Sequence, residues 1–172
     1  MEAVETMRLT VAPGENRGKS FHEGGLGVHF KIYGKETGGA LAVVEHPVDP
    51  HRLVPPHTHA DTDEYSYVLE GEIGARIGDR VITATPGTYV FKPRGIMHTF
   101  WNATDRPARI LEILSPSGFE KFFEEMGDLV RNPGQDTPEK LAALAARYNN
   151  PLSMEWVPEL KATYGLKLLG EP

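Results

Sequence analysis

Short β-rich runs cut apart by Gly and Pro fill the chain from Val11 to about Pro116, and they leave few folds open. The runs are 28–33, 40–45, 65–69, 74–77, 80–84, 89–92, 98–101 and 108–114. Runs of this kind, recurring at roughly 8–12 residues and bounded by turn signals, predict an all-β sandwich or barrel. Ile77-Gly78-Asp79-Arg80 predicts a tight hairpin, because Gly and Asp suit the positive φ angles of its turn. No long helical pattern interrupts the region, which argues against βαβ units. Gly24-Gly25-Leu26-Gly27 lacks the strand-to-helix context of a phosphate loop and reads as a turn.

The texture changes after Pro116. Phe119, Phe122, Phe123, Met126 and Val130 share one helical face, with Ser117 placed to cap it and Gly127 weakening its last turn. Thr137 and Pro138 open a second helix with Leu141, Leu144, Ala145 and Tyr148 on one stripe, stopped at Asn149-Asn150-Pro151. A short third helix from about Pro158 to Tyr164 ends at Gly165. The expected division is a β-barrel domain over 1–116, N-terminal strands included, and a helical extension over 117–172. The stripes are read as packing surfaces. Their apolar supply exceeds what one small barrel obviously covers, which predicts a homodimer.

Composition narrows the function classes. The 172 residues carry 24 Asp and Glu against 18 Lys and Arg, a formal charge of −6. Such a chain lacks the basic face that nucleic acid requires. Its longest apolar runs, 40–44 and 141–146, fall far short of the ~20 residues that span a bilayer. The opening MEAVETMRLT has no apolar signal-peptide core, so the expected location is cytoplasmic. With no Cys, any metal must sit on His, carboxylate or water.

The chemistry-bearing stretch begins at Pro55-Pro56-His57-Thr58-His59 and runs through Glu64 to Gly71. On an extended strand His57 and His59 project to the same side, and a short loop can return Glu64 to meet them. Two imidazoles and a carboxylate suit a borderline divalent metal. A second stretch sets Gly87, Pro93, Gly95, His98 and Asn102 at fixed offsets.

Together these stretches resemble the two motifs of the cupin superfamily. The first reads HxH-x4-E-x6-G at His57, His59, Glu64 and Gly71. The second reads G-x5-PxG-x2-H-x3-N at Gly87, Pro93, Gly95, His98 and Asn102. One departure is His51, which stands where the first motif opens with Gly; that glycine belongs to a turn. Each matched position costs a factor of roughly ten by average composition, so chance agreement is negligible. The resemblance covers about Leu41 to Leu114. It implies an antiparallel double-stranded β-helix, a jelly-roll barrel, with His57, His59, Glu64 and His98 holding a divalent transition metal. Fe, Mn, Ni, Co and Zn all suit that donor set.

The combination with a helical tail looks like the small quercetinase-like monocupins. That implies a dioxygenase acting with O2 on a small flavonol-like aromatic or enol substrate, with Glu64 as catalytic base. The alternatives are an isomerase or decarboxylase of the same superfamily, or a metal-containing binding or sensing module without turnover. His22, His29, His46 and His51 are read as ordinary core or surface histidines, and Asp61 and Asp63 as solvated. Ser66, Val68 and Phe100 are expected to face the metal, with Tyr65 and Tyr67 pointing away. The interior is expected to be mostly apolar, with Arg76 and Arg94 the unassigned charges.

Overall fold

The computed structural model describes residues 8–134 and 137–172. The first seven residues, which open both the expected β domain and the segment read for a leader, lie outside the described residues. Strands β1 (Arg17–Glu23), β2 (Leu26–Ile32), β3 (Ala42–Val48), β4 (Arg52–Leu53), β5 (Asp63–Glu70) and β6 (Ile73–Ile77) are followed by β7 (Arg80–Ala84), β8 (Tyr89–Lys92), β9 (His98–Asn102) and β10 (Ala108–Ser115). Helices α1 (Glu120–Arg131), α2 (Thr137–Arg147) and α3 (Val157–Tyr164) come next, and β11 (Lys167–Leu168) closes the chain.

Among the described residues the strands form two facing sheets. One has the order β1-β2-β3-β10-β5-β8 and the other β11-β4-β9-β6-β7. All pairings are antiparallel except β11 with β4. The result is the double-stranded β-helix. Each of the eight sequence-predicted runs becomes a strand, with ends shifted by up to three residues. The Gly78-Asp79 turn joins β6 to β7 with Ile77 opposite Arg80, and Gly78 adopts φ 55°. Glu23 pairs with Leu26 across the Gly24-Gly25 turn, so that glycine cluster closes a hairpin.

Alternation on β3, β5 and β10 follows the pleat: every second residue of Ala42–Val48 and Ala108–Ser115 is buried. The inward residues lie side by side in register. Glu64 pairs with Lys92 and Leu114, Ser66 with Val90 and Glu112, and Val68 with Ile110.

The tail packs on the barrel. Phe119, Phe122 and Phe123 are buried in one cluster with Phe21, Val28, Phe30, Val44 and Leu114, joined by Leu144 and Ala145 of α2. Burying such a ring is worth on the order of 2 kcal/mol. These phenyls are therefore covered by their own chain. α3 packs differently, with Trp156, Val157 and Leu160 against Leu53 and Trp101 on the second sheet.

One helix-end expectation needs correction, and Gly127 has a further role. Ser117 does not cap α1. Phe119 occupies the N-cap position without a side-chain bond, and buried Glu120 accepts the N–H groups of Gly118 and Gly34 instead. Gly127 is a close-approach position, because a Cβ there would lie 2.6 Å from the Phe21 ring. α3 ends as expected, with Gly165 in the left-handed region at φ 66°.

Candidate metal centre

His57 and His59 do not lie on a regular strand. They sit on an extended segment pinned from both sides. His57 and His98 exchange backbone hydrogen bonds of 2.9 Å, which docks the segment onto β9. On its other side the tail supplies three more: Thr58 N–H to the Pro151 carbonyl, Ala60 N–H to that of Asn149, and Ser153 N–H to that of Pro56. Gly95, at φ 76°, donates its N–H to the His59 carbonyl at 2.7 Å. Glu64 enters on β5, beside Lys92 of β8.

This scaffold brings all four sequence-predicted residues together. One side-chain donor atom from each of His57, His59, Glu64 and His98 lies within 4.8 Å of the others. None is more than 8% exposed. The imidazoles are set for a cation. His57 Nδ1 lies 2.7 Å from the Pro55 carbonyl and His98 Nδ1 lies 2.9 Å from that of Ile96. An Nδ1–H donating to each carbonyl leaves Nε2 with its lone pair free, the tautomer that metal ligation uses. His59 Nε2 and His98 Nε2 are buried without a hydrogen-bond partner. They stand 3.0 and 3.3 Å from the two Glu64 oxygens.

Buried polar atoms left unmade cost about 1–3 kcal/mol each. A cation between them removes that penalty, so the donors present fit a divalent ion. Burial first, then the adjoining His98 and His59 rings, hold His57 well below its ordinary pKa of 6.5. It is neutral near pH 7, as a ligand must be.

The interior beside these residues is charged, which corrects the expectation of a mostly apolar lining. Lys92 is 1% exposed, and its ammonium lies 2.7 Å from Glu64 Oε2 and 2.5 Å from Glu112 Oε1. These are contacts of charge more than aligned hydrogen bonds, since Nζ finds no well-directed acceptor. Ser66 Oγ donates to Glu112 Oε1 at 2.8 Å. Burial opposes ionisation of Glu64, but Lys92 and His59 outweigh it and hold the carboxyl well below its ordinary range. Burial likewise opposes the Lys92 charge, and Glu112 and Glu64 overcome it.

The arginines point elsewhere. Arg76 lies over the Trp156 ring and pairs with Glu159, and Arg94 pairs with Asp63 at the surface. Ser66, Val68 and Phe100 are buried as expected, while Tyr65 lies outside, stacked on Phe91. His46 is buried inside the barrel with Nδ1 2.8 Å from the Gly27 carbonyl, whereas His22 and His51 pair with Asp49 and Asp105 at the surface. Asp61 accepts from Asn149. Asn102, matched in the second motif, is structural: its amide bonds the Val48 and Arg106 carbonyls, and its oxygen accepts from Thr104.

Sequence reasoning missed Lys92 and Glu112. The signal was the alternation of β10, where Ala108, Ile110, Glu112 and Leu114 share the inward face.

Over the centre sits an aromatic cap. The Phe119 ring lies 4.1 Å from that of His59, edge to face, and continues into Phe122, Phe123 and Tyr148.

With the geometry in hand, known proteins agree on the class. Residues 45–114 match the family described as Cupin domain, and the barrel has the cupin double-stranded β-helix fold. A stretch of 80 residues is 30% identical to the tetracenomycin polyketide synthase protein TcmJ of Streptomyces glaucescens. It covers 46% of this chain and 52% of that protein, so the chain spans about half the length of this curated relative. The polyketide cyclase RemF of Streptomyces resistomycificus superposes with a TM-score of 0.55 at 25% identity, over 64% of this chain and 81% of that one. A predicted oxalate decarboxylase of Thermotoga maritima superposes with a TM-score of 0.57 at 16% identity, over 63% and 99%, a likeness of fold alone.

Proposed function

We propose that this protein is a metal-dependent enzyme acting on a small, enolisable aromatic polyketone. The observation that carries the reading is the buried cluster of His57, His59, Glu64 and His98 under an aromatic cap. A divalent ion held there supplies Lewis acidity, lowering the pKa of a hydroxyl or enol that reaches it. The chain's own residues do the rest. Phe119 and its neighbours offer flat apolar surface to an aromatic ring and keep water from the centre. Glu64 serves first as a ligand. Lys92 makes it a weak base, so it takes a substrate proton only once that pairing loosens.

Cyclisation is the favoured reaction, supported by the two relatives whose names concern polyketides, TcmJ and RemF. Cleavage of a flavonol-like enol with O2 is the second reading, favoured by a mixed nitrogen and oxygen donor set that leaves room for further ligands. The two separate in an oxygen electrode. The test offers metal-loaded protein an aromatic β-polyketone or a flavonol. Metal-dependent product formation without O2 uptake is expected, and uptake matched to product would support the second reading. Glu64→Gln should keep most of its metal and lose roughly 100-fold in turnover if Glu64 moves the proton. Tight binding of either compound without turnover, with every metal of the series, would contradict the enzyme reading.

A further inference from the structure

Nothing in the metal ligation itself requires a buried lysine, yet Lys92 and Glu112, each 1% exposed, stand beside the centre. A buried ion pair seldom adds stability over well-packed apolar residues, so its presence asks for another account. Lys92 touches Glu64 on one side and Glu112 on the other, and Ser66 fixes Glu112 from β5. The four form one chain of contacts ending at a candidate ligand. It holds Glu64 Oε2 toward Lys92 while Oε1 faces His59.

The charges can be counted. With the imidazoles neutral, as ligation demands, Glu64 and Glu112 contribute two negative charges and Lys92 one positive, leaving one negative charge to attract a cation. A divalent ion converts this to one positive charge. We infer that Lys92 and Glu112 act as a matched pair that sets the net charge of the loaded centre, making it select a singly anionic donor such as an enolate, a phenolate or a carboxylate. Lys92 weakens the hold on the metal and strengthens the hold on the anion; Glu112 does the reverse. Neither belongs to the donor cluster and both act through Glu64, so both are positioning residues. The inference rests on the metal reading above and deepens it by naming the charge of the substrate.

The opposed signs give the test. Wild type, Lys92→Met, Glu112→Gln and the double variant are loaded with Co(II). Metal affinity is read by chelator competition, and azide affinity from the visible spectrum of the Co(II) protein. A unit charge acting over several ångströms in a buried site is worth at least about tenfold. Lys92→Met should bind Co(II) at least about tenfold more tightly and azide about tenfold more weakly. Glu112→Gln should do the opposite on both counts. The double variant, whose net charge equals the wild type's, should return both affinities to within a few-fold of the original. Structural damage lowers both affinities together, so changes of the same sign in Glu112→Gln and the double variant overturn the inference even if Lys92→Met fails to fold. Co(II) bound with azide indifferent to all three variants overturns the charge role and leaves the metal reading standing. No Co(II) bound by the wild type overturns both.

Discussion

The two ends of one barrel interior are built from the same strands and filled in opposite ways. Toward the tail, β5, β8 and β10 turn inward Glu64, Ser66, Lys92 and Glu112. A few residues farther along, the same three strands turn inward Val68, Val90, Ile110 and Ala108, which pack with Leu26, Val48, Ile73, Ala75 and Phe100. The apolar end needs only shape, and supplies the burial that holds the sheets together. The charged end is costly, and is supported by Lys92 set between its two carboxylates and by the phenyl cap of α1. Stability and chemistry are thus separated along the strands.

Carrying charge into the apolar end should break the molecule. Ile110, 1% exposed, neighbours Val68 in register. Ile110→Glu buries a carboxylate with no partner and is expected to cost about 3–5 kcal/mol. Denaturant unfolding should show most of the stability gone. Glu112, one inward position along the same strand, is tolerated because Lys92 and Ser66 meet it. A stable Ile110→Glu would mean that the apolar end is not distinct.

The cap sharpens the contrast from the other side. Phe119→Ala removes the ring packed against His59 and Phe122, at an expected cost of about 3 kcal/mol. It also uncovers the centre, so the metal should leave to a chelator at least about tenfold faster than from wild type. Unchanged release would show that the cap is packing alone.

The smallest effect concerns His46, buried between the two ends. Burial lowers its pKa from 6.5, while the facing Glu112, the Gly27 carbonyl and Glu64 act to raise it and Lys92 to lower it. Because the folded pKa is depressed, the unfolded chain binds more protons below pH 6.5. The stability from neutral His46 is therefore present above that pH and is lost as pH falls toward the folded pKa. The slope is at most about 1.4 kcal/mol per pH unit. In metal-free protein, His46→Phe should lose less stability than wild type between pH 7 and pH 5.5. Equal losses would rule His46 out as a contributor.

Much of this arrangement is legible in the sequence because it rests on local patterns. The alternation of β5 sets Ser66 and Val68 apart from Tyr65, and the spacing of His57, His59, Glu64 and His98 carries the site. The phenyl stripe of α1 is equally plain, since its period of 3.6 needs no partner to be seen. β1 is not legible: RGKSFHE is an edge strand, largely exposed and polar. β4 and β11 are two residues each and exist only through their pairing. Lys92 and Glu112 fail for a different reason. The alternation of β10 turns Glu112 inward, but only the placement of β8 and β10 on either side of β5 brings the opposite charge of Lys92 to meet it. Complementarity across three strands has no local signature.

The central claim is that the four clustered side chains hold one divalent ion. Elemental analysis of protein purified without chelators, beside His57→Ala, His59→Ala and His98→Ala, tests it most directly. The account predicts close to one metal per chain in the wild type and a sharp loss in each variant, since each removes one of four donors. A metal-free wild type that also takes up none of Fe, Mn, Co, Ni or Zn, or full stoichiometry in all three variants, would contradict it.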